Sequence, residues 1–255
     1  MIDIEKVKSE FNSYTSKYDK NIVPINRKYY HSYRVMEQSI KIAESINLSK
    51  EDIELASLIG LLHDVARFEQ WMRYETFSDS KSIDHGDFGV EILSEKDFIR
   101  DFIKDNQYDE IIKIAIKNHN KYKIEEGLNE KQLLHSKIIR DADKIDIFYE
   151  GAEDFFWNTL EERTEVENSL ISEDYFKEFT SRNTICRKPS QTKLDSIIAM
   201  IAFIFDLNFN YSKKVIYENN YINRILNKFD YKDENTKRQI ESIRKIARDY
   251  LKESL

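Results

Sequence analysis

The chain has 255 residues, 34% of them charged, and a mean hydropathy of −0.65, enough length for one large domain with a substantial core beneath solvated helix faces. A net charge of −7 and a pI near 5.5 provide no general field for nucleic acid or an anionic membrane, so an anionic partner would need a local positive site. With 5 Gly and 2 Pro the chain lacks the turn residues of a sandwich or barrel, and its one cysteine, Cys186, excludes an internal disulfide or a cysteine metal cluster, pointing to the cytoplasm and to Cys186 as a buried, inert thiol.

The opening residues, Met1 to Glu5, have no basic region followed by an apolar run, so no signal peptide is expected. The repeat Ile4, Val7, Phe11, Tyr14, Tyr18 predicts a helix over about 3–19. Asn21 to Asn26, with Pro24, predicts a break before a helix over about 29–46, which would aim His31 inward from its first turn beside Val35 and Ile42. Ser49 to Asp52 reads as a cap for the next helix, an apolar segment ending abruptly in His63-Asp64. Residues 68–84 show no clear period and predict a loop or lid.

Asp84 is placed to cap a helix presenting His85, with Gly89 permitting a close neighbour. An isoleucine-rich helix over about 108–120 points His119 at the core, three and seven residues after Ile116 and Ile112. A helix over about 130–150 packs through Leu134, Ile138, Ala142 and Ile145, with Asp143 and Asp146 beside that stripe. Residues 151–190 predict short helices and loops, with Arg187 and Lys188 read as part of a solvated loop in preference to a phosphate clamp. From about 191 follow a buried helix, a shorter one around 219–228 and an amphipathic terminal helix carrying Ile240, Ile243, Ala247 and Leu251. The longest apolar run, Ile197 to Phe205, is too short to span a bilayer.

His31, His63, His85 and His119 thus stand at inward or helix-terminal positions on four separate predicted helices; only His135 lacks such a role. One buried histidine is more often a satisfied core residue than a ligand, but four converging with Asp64 and Asp143 are hard to explain as independent packing choices. If all six converge, they are too many ligands for one catalytic ion that must keep open positions, so two ions follow, with Asp64 the natural bridge. Nitrogen-rich ligation favours two divalent transition metals, Mn, Fe, Co, Ni or Zn, over Mg or Ca.

The order His31, His63-Asp64, His85, His119, Asp143 resembles the motif of the HD-domain superfamily in its six-ligand, two-metal form, over about residues 29–148. His31-Ser32-Tyr33-Arg34-Val35 resembles its first motif, Leu62-His63-Asp64-Val65-Ala66-Arg67 its defining one and Ala142-Asp143 its last, with Ala66 where many members have glycine. The cyclic-di-GMP phosphodiesterase signature is absent. The resemblance implies an all-helical core of at least five helices; beyond Asp143 it gives no support, and the C-terminal helices of the expected all-α fold rest on the helical period of the apolar segments. Residues 1–255 are then expected to form a single HD-type domain with a helical extension over about 151–255.

It also implies a metal-dependent hydrolase in which a water bridging two ions attacks a phosphate ester of a nucleotide or other small molecule. His31, His63, Asp64 and Asp143 would surround one ion, and Asp64, His85 and His119 the other. Asp64 and Arg67 are the expected catalytic residues; Arg67, Lys144 and Arg34 are the candidates for the substrate phosphate. No nucleic acid or membrane partner is expected. The alternative implied by the same ligand set is an HD-type di-iron oxygenase resembling myo-inositol oxygenase.

Overall fold

The computed structural model describes residues 2–253 apart from 154, 158, 187, 189 and 190. Among the described residues all regular structure is helical, and no helix is long and apolar enough to cross a membrane. The chain divides into two compact units, Met1–Asp146 and Ile147–Leu255.

In the first unit α1 (Ile4–Thr15) begins at Asp3, whose carboxylate accepts from Lys6 N, and buries Val7, Phe11 and Tyr14. Helix α2 (Val23–Ser45) starts earlier than the break at Pro24 suggested. Proline is tolerated in a first helical turn, where its missing N–H has no intrahelical partner to lose, so it opens this helix instead of interrupting the chain. His31 therefore sits two turns into α2, not in its first turn. Helix α3 (Lys50–Leu62) is capped by Ser49 as expected, with Ser49 Oγ accepting from Asp52 N at 3.1 Å.

The expected loop over 68–84 is half helix. After His63 and Asp64, α4 (Val65–Tyr74) resumes at once, burying Val65, Ala66, Phe68 and Gln70, and ends at Glu75 in the left-handed region. A fully buried Gln70 on the inner face hides the apolar repeat that would have announced this helix. Only 75–84 is non-α, with a short 3-10 turn at Asp79–Lys81. Asp84 then caps α5 (His85–Ser94) by accepting from Gly86 N and Asp87 N. The short α6 (Ile99–Phe102), α7 (Asp109–Asn118) and the long α8 (Glu130–Ala152) follow; residues of α8 up to Asp146 belong to the first unit. Helix α2 packs along α3, and α5 against both α4 and α7, so the ends of α3, α5 and α7 come together beside α2.

The second unit contains α9 (Leu160–Glu167), α10 (Glu173–Thr180), α11 (Lys193–Ile201), α12 (Asn210–Glu218), α13 (Tyr221–Leu226) and α14 (Glu234–Lys252). Thr159 with Glu162 and Thr192 with Asp195 form capping boxes. The run 197–205 is buried as expected except at the partly buried Phe203 and Phe205, and it changes from α-helix to 3-10 at Ala202. Helix α14 turns Ile240, Ile243, Ala247 and Leu251 into this unit's own core. Cys186 corrects the sequence reading: it is exposed, because in its non-helical segment Ile185 takes the inward place. Arg187 lies outside the described residues, and the exposed Lys188 pairs with Asp174.

Candidate metal centre

The six expected ligand residues converge. His31 comes from α2, His63 and Asp64 from the junction of α3 and α4, His85 from the first residue of α5, His119 from the C-terminal cap of α7 and Asp143 from α8. All are buried except Asp143, which is partly exposed. They form two donor sets. In the first, His31 Nε2 lies 3.2 Å from His63 Nε2, 3.2 Å from Asp143 Oδ1 and 3.4 Å from Asp64 Oδ2. In the second, His85 Nε2 and His119 Nε2 are 3.0 Å apart and lie 3.5 and 3.6 Å from Asp64 Oδ1. Asp64 thus turns one oxygen to each set.

Each imidazole is fixed through its other nitrogen. His31 Nδ1–H donates to Asp146 Oδ2 and His85 Nδ1–H to Asp79 Oδ2, both at 2.6 Å. His63 Nδ1–H donates to Gly60 O at 2.8 Å, and His119 Nδ1–H to Ile116 O at 2.6 Å. These acceptors have no proton to give, so the hydrogen is on Nδ1 and, in the neutral ring, a lone pair is on Nε2. Between His85 and His119 lone pairs then face each other at 3.0 Å, an arrangement that a shared cation stabilises, and at the 3.2 Å approach of His31 to His63 a cation would take the place of a proton on His31 Nε2. Bonds of about 2.0–2.1 Å to one cation place neighbouring donors about 3.0–3.4 Å apart, and the donors of the two sets lie 3.0–3.7 Å apart, within a few tenths of an ångström of that spacing. Asp64 Oδ1 is buried with no hydrogen-bond donor, as expected of an oxygen meant for a metal. The residues fit divalent transition-metal ions.

The electrostatics follow from burial and the crowd of charges. Burial alone would raise Asp64, but Lys28, His63 and Arg67 outweigh it and hold the carboxyl well below the usual range. Asp143 is likewise held low, against burial, by His31 and His63. Burial pushes His63 down, and burial with Arg67 pushes His85 down to about 3, leaving both rings neutral and available as ligands. His31 goes the other way: burial and Lys28 lower it, but Asp143, Asp146 and Asp64 together raise it well above 6.5.

The cationic candidates differ in what they touch. Arg67 Nε is 3.4 Å from Asp64 Oδ1, while its Nη1 donates to Gln70 Oε1, Phe77 O and Asp79 Oδ1 at 2.7, 2.8 and 3.1 Å. Arg34 grips Asp146 with Nε and Nη2 at 2.6 and 2.9 Å, so it braces His31 through that carboxylate. Lys144 is buried next to Asp143 in sequence. Several residues escaped the sequence reading. Lys28 reaches Asp64 Oδ2 at 2.6 Å; it precedes His31 by three residues on the same helix face, a signal that a helix beginning near 29 does not carry. Asp79 lies in the aperiodic 75–84 segment, where no pattern marks it. Buried Arg140 donates to Asn118 O at 2.9 Å and to Lys121 O, holding the turn that follows His119.

Residues 29–147 match the HD domain family. This stretch of the chain is an HD domain. It begins two residues before His31 and ends just beyond Asp146, enclosing all six converging ligands and the helices that carry them. No curated protein and no solved structure matches the chain. The HD domain and its clusters of histidine and aspartate are consistent with a metal-dependent hydrolase.

Proposed function

We propose that the protein is a metal-dependent phosphohydrolase that cleaves a phosphate ester of a nucleotide or another small molecule. The observation that supports this most is the division of Asp64 between two histidine sets, Oδ2 toward His31 and His63 and Oδ1 toward His85 and His119. His31, His63, Asp64 and Asp143 would hold one ion, and Asp64, His85 and His119 the other. Two bound divalent ions would supply the Lewis acidity that lowers the pKa of water toward neutrality and offsets charge on phosphoryl oxygens.

The chain's own part is preorganisation. Asp146, Asp79 and two main-chain carbonyls fix the four rings, so little reorientation accompanies the reaction. Arg67 places positive charge beside Asp64 and ties the 75–84 segment down over the second histidine pair. In a chain of net charge −7, two bound divalent ions with Arg67 beside them would make this the local positive site that an anionic substrate needs. Substrate contact by Arg34 and Lys144 stays a proposal from the sequence, alongside Arg34's contact with Asp146.

The test is a panel of nucleotides and simple phosphate esters incubated with the protein and Mn, Co, Ni or Fe. Ester cleavage that appears with metal and disappears with a chelator is the expected result. Oxygen consumption with iron and no ester cleavage under any metal would overturn the reading in favour of a di-iron oxygenase.

A further inference from the structure

Lys28 enters the metal centre without being able to serve as a ligand. Its ammonium lies 2.6 Å from Asp64 Oδ2, its side chain is 11% exposed, and the Phe77 ring stands 5.7 Å away. Oδ2 is also the oxygen that faces His31 and His63, at 3.4 and 3.6 Å. A divalent cation among those donors uses the same oxygen and sets two positive charges against the ammonium. That repulsion is felt even at the dielectric constant of water and is larger beneath a protein surface. The ammonium must then yield Oδ2.

Two properties of the residue say where it goes. Its four-carbon stem is flexible, so the charge can move while the helix stays fixed. A nearly buried ammonium deprived of its carboxylate and flanked by cations needs another anion, because a charge in that position without a partner is costly. Arg67 is less free to meet an incoming anion, since one of its nitrogens is already shared among Gln70, Phe77 and Asp79.

We propose that Lys28 is the phosphate anchor of the site: it competes with the first metal ion for Asp64 and, once that ion takes the carboxylate, receives an oxygen of the substrate's phosphoryl group. The identity of the anion rests on the phosphohydrolase reading; the competition with metal rests on the Lys28–Asp64 contact alone.

The experiment uses the full chain, as wild type and as Lys28→Met, Lys28→Gln and Lys28→Arg, so that a packing failure of one neutral variant leaves the other. Calorimetric titration with Mn should show the neutral variants binding the ion about tenfold more tightly, with Lys28→Arg close to wild type. Inorganic phosphate titrated into the Mn-loaded proteins should bind the neutral variants about tenfold more weakly or worse, and Lys28→Arg should recover most of the loss. With a turnover substrate, KM should rise more than kcat falls. Unchanged or weaker Mn binding by folded neutral variants overturns the competition, and undiminished phosphate binding overturns the anchor. Neither titration requires turnover, so a wild type that cleaves no ester defeats the phosphohydrolase reading without touching the metal result.

Discussion

His63 and His119 are the same local device at the ends of two different helices. Each is the residue just past a helix, and each donates Nδ1–H to the carbonyl three residues back, Gly60 O or Ile116 O. Carbonyls of a last turn are short of intrahelical donors, Ile116 O accepting only a long 3.5 Å bond from the His119 main-chain N–H, so the helix end itself sets the tautomer that leaves Nε2 ready to bind. His31 and His85 lie inside helices, have no such carbonyl, and take a carboxylate from elsewhere, Asp146 and Asp79 respectively. Each donor set therefore has one ring held by a main-chain oxygen and one held by an aspartate. Asp79→Asn should weaken the ion at His85 and His119 by about 10- to 100-fold while sparing the one at His31 and His63. Two-site analysis of Mn titrations reads this directly; equal weakening of both sites, or of neither, contradicts it.

At the scale of elements, the site depends on how closely α2 and α3 approach. A Cβ at Gly60 would stand 2.7 Å from Ser39 Oγ and 2.8 Å from Met36 Cα, so the second contact is with main chain that cannot turn aside. Gly60→Ala should cost about 1–3 kcal/mol of stability, as overpacking does, and should also displace the carbonyl that orients His63. Urea unfolding and the Mn affinity of the first site measure the two effects; wild-type values for both would show that the helices part without cost. The same elements show what was legible in the sequence. The caps at Ser49 and Asp84 and the core face of α8 were plain because side-chain chemistry and period act locally. The start of α2 was not, because Pro24 reads equally as a breaker and as a first-turn residue. Helix α4 was hidden because its buried Gln70 is satisfied by distant groups, donating to Asp79, Ser82 and Ile83 and accepting from Arg67. Asp79 and Arg140 escape because no spacing announces their partners, whereas Lys28, three residues before His31 on one helix face, lies outside a helix expected only from about 29.

On the scale of the whole molecule, residues 29–147 are the HD domain, and the six converging side chains belong to the unit Met1–Asp146. The unit Ile147–Leu255 has its own apolar core, of which Phe179, Ile198, Ile225 and Ile243 are fully buried members. We keep as a proposal that residues 1–255 fold as one HD-type domain with a C-terminal extension. It predicts a single cooperative unfolding transition that moves upward as a whole when divalent metal is added, since a ion bound only by the folded protein stabilises all that unfolds with it. Two transitions, only one of them metal-sensitive, would separate the units.

Anomalous scattering from crystals grown with saturating Mn would show most directly whether two cations meet at Asp64. Two peaks are expected, one among His31, His63 and Asp143 and the other beside His85 and His119, with one oxygen of Asp64 directed to each. A single fully occupied peak, with His85 and His119 turned away from it under those conditions, would contradict this.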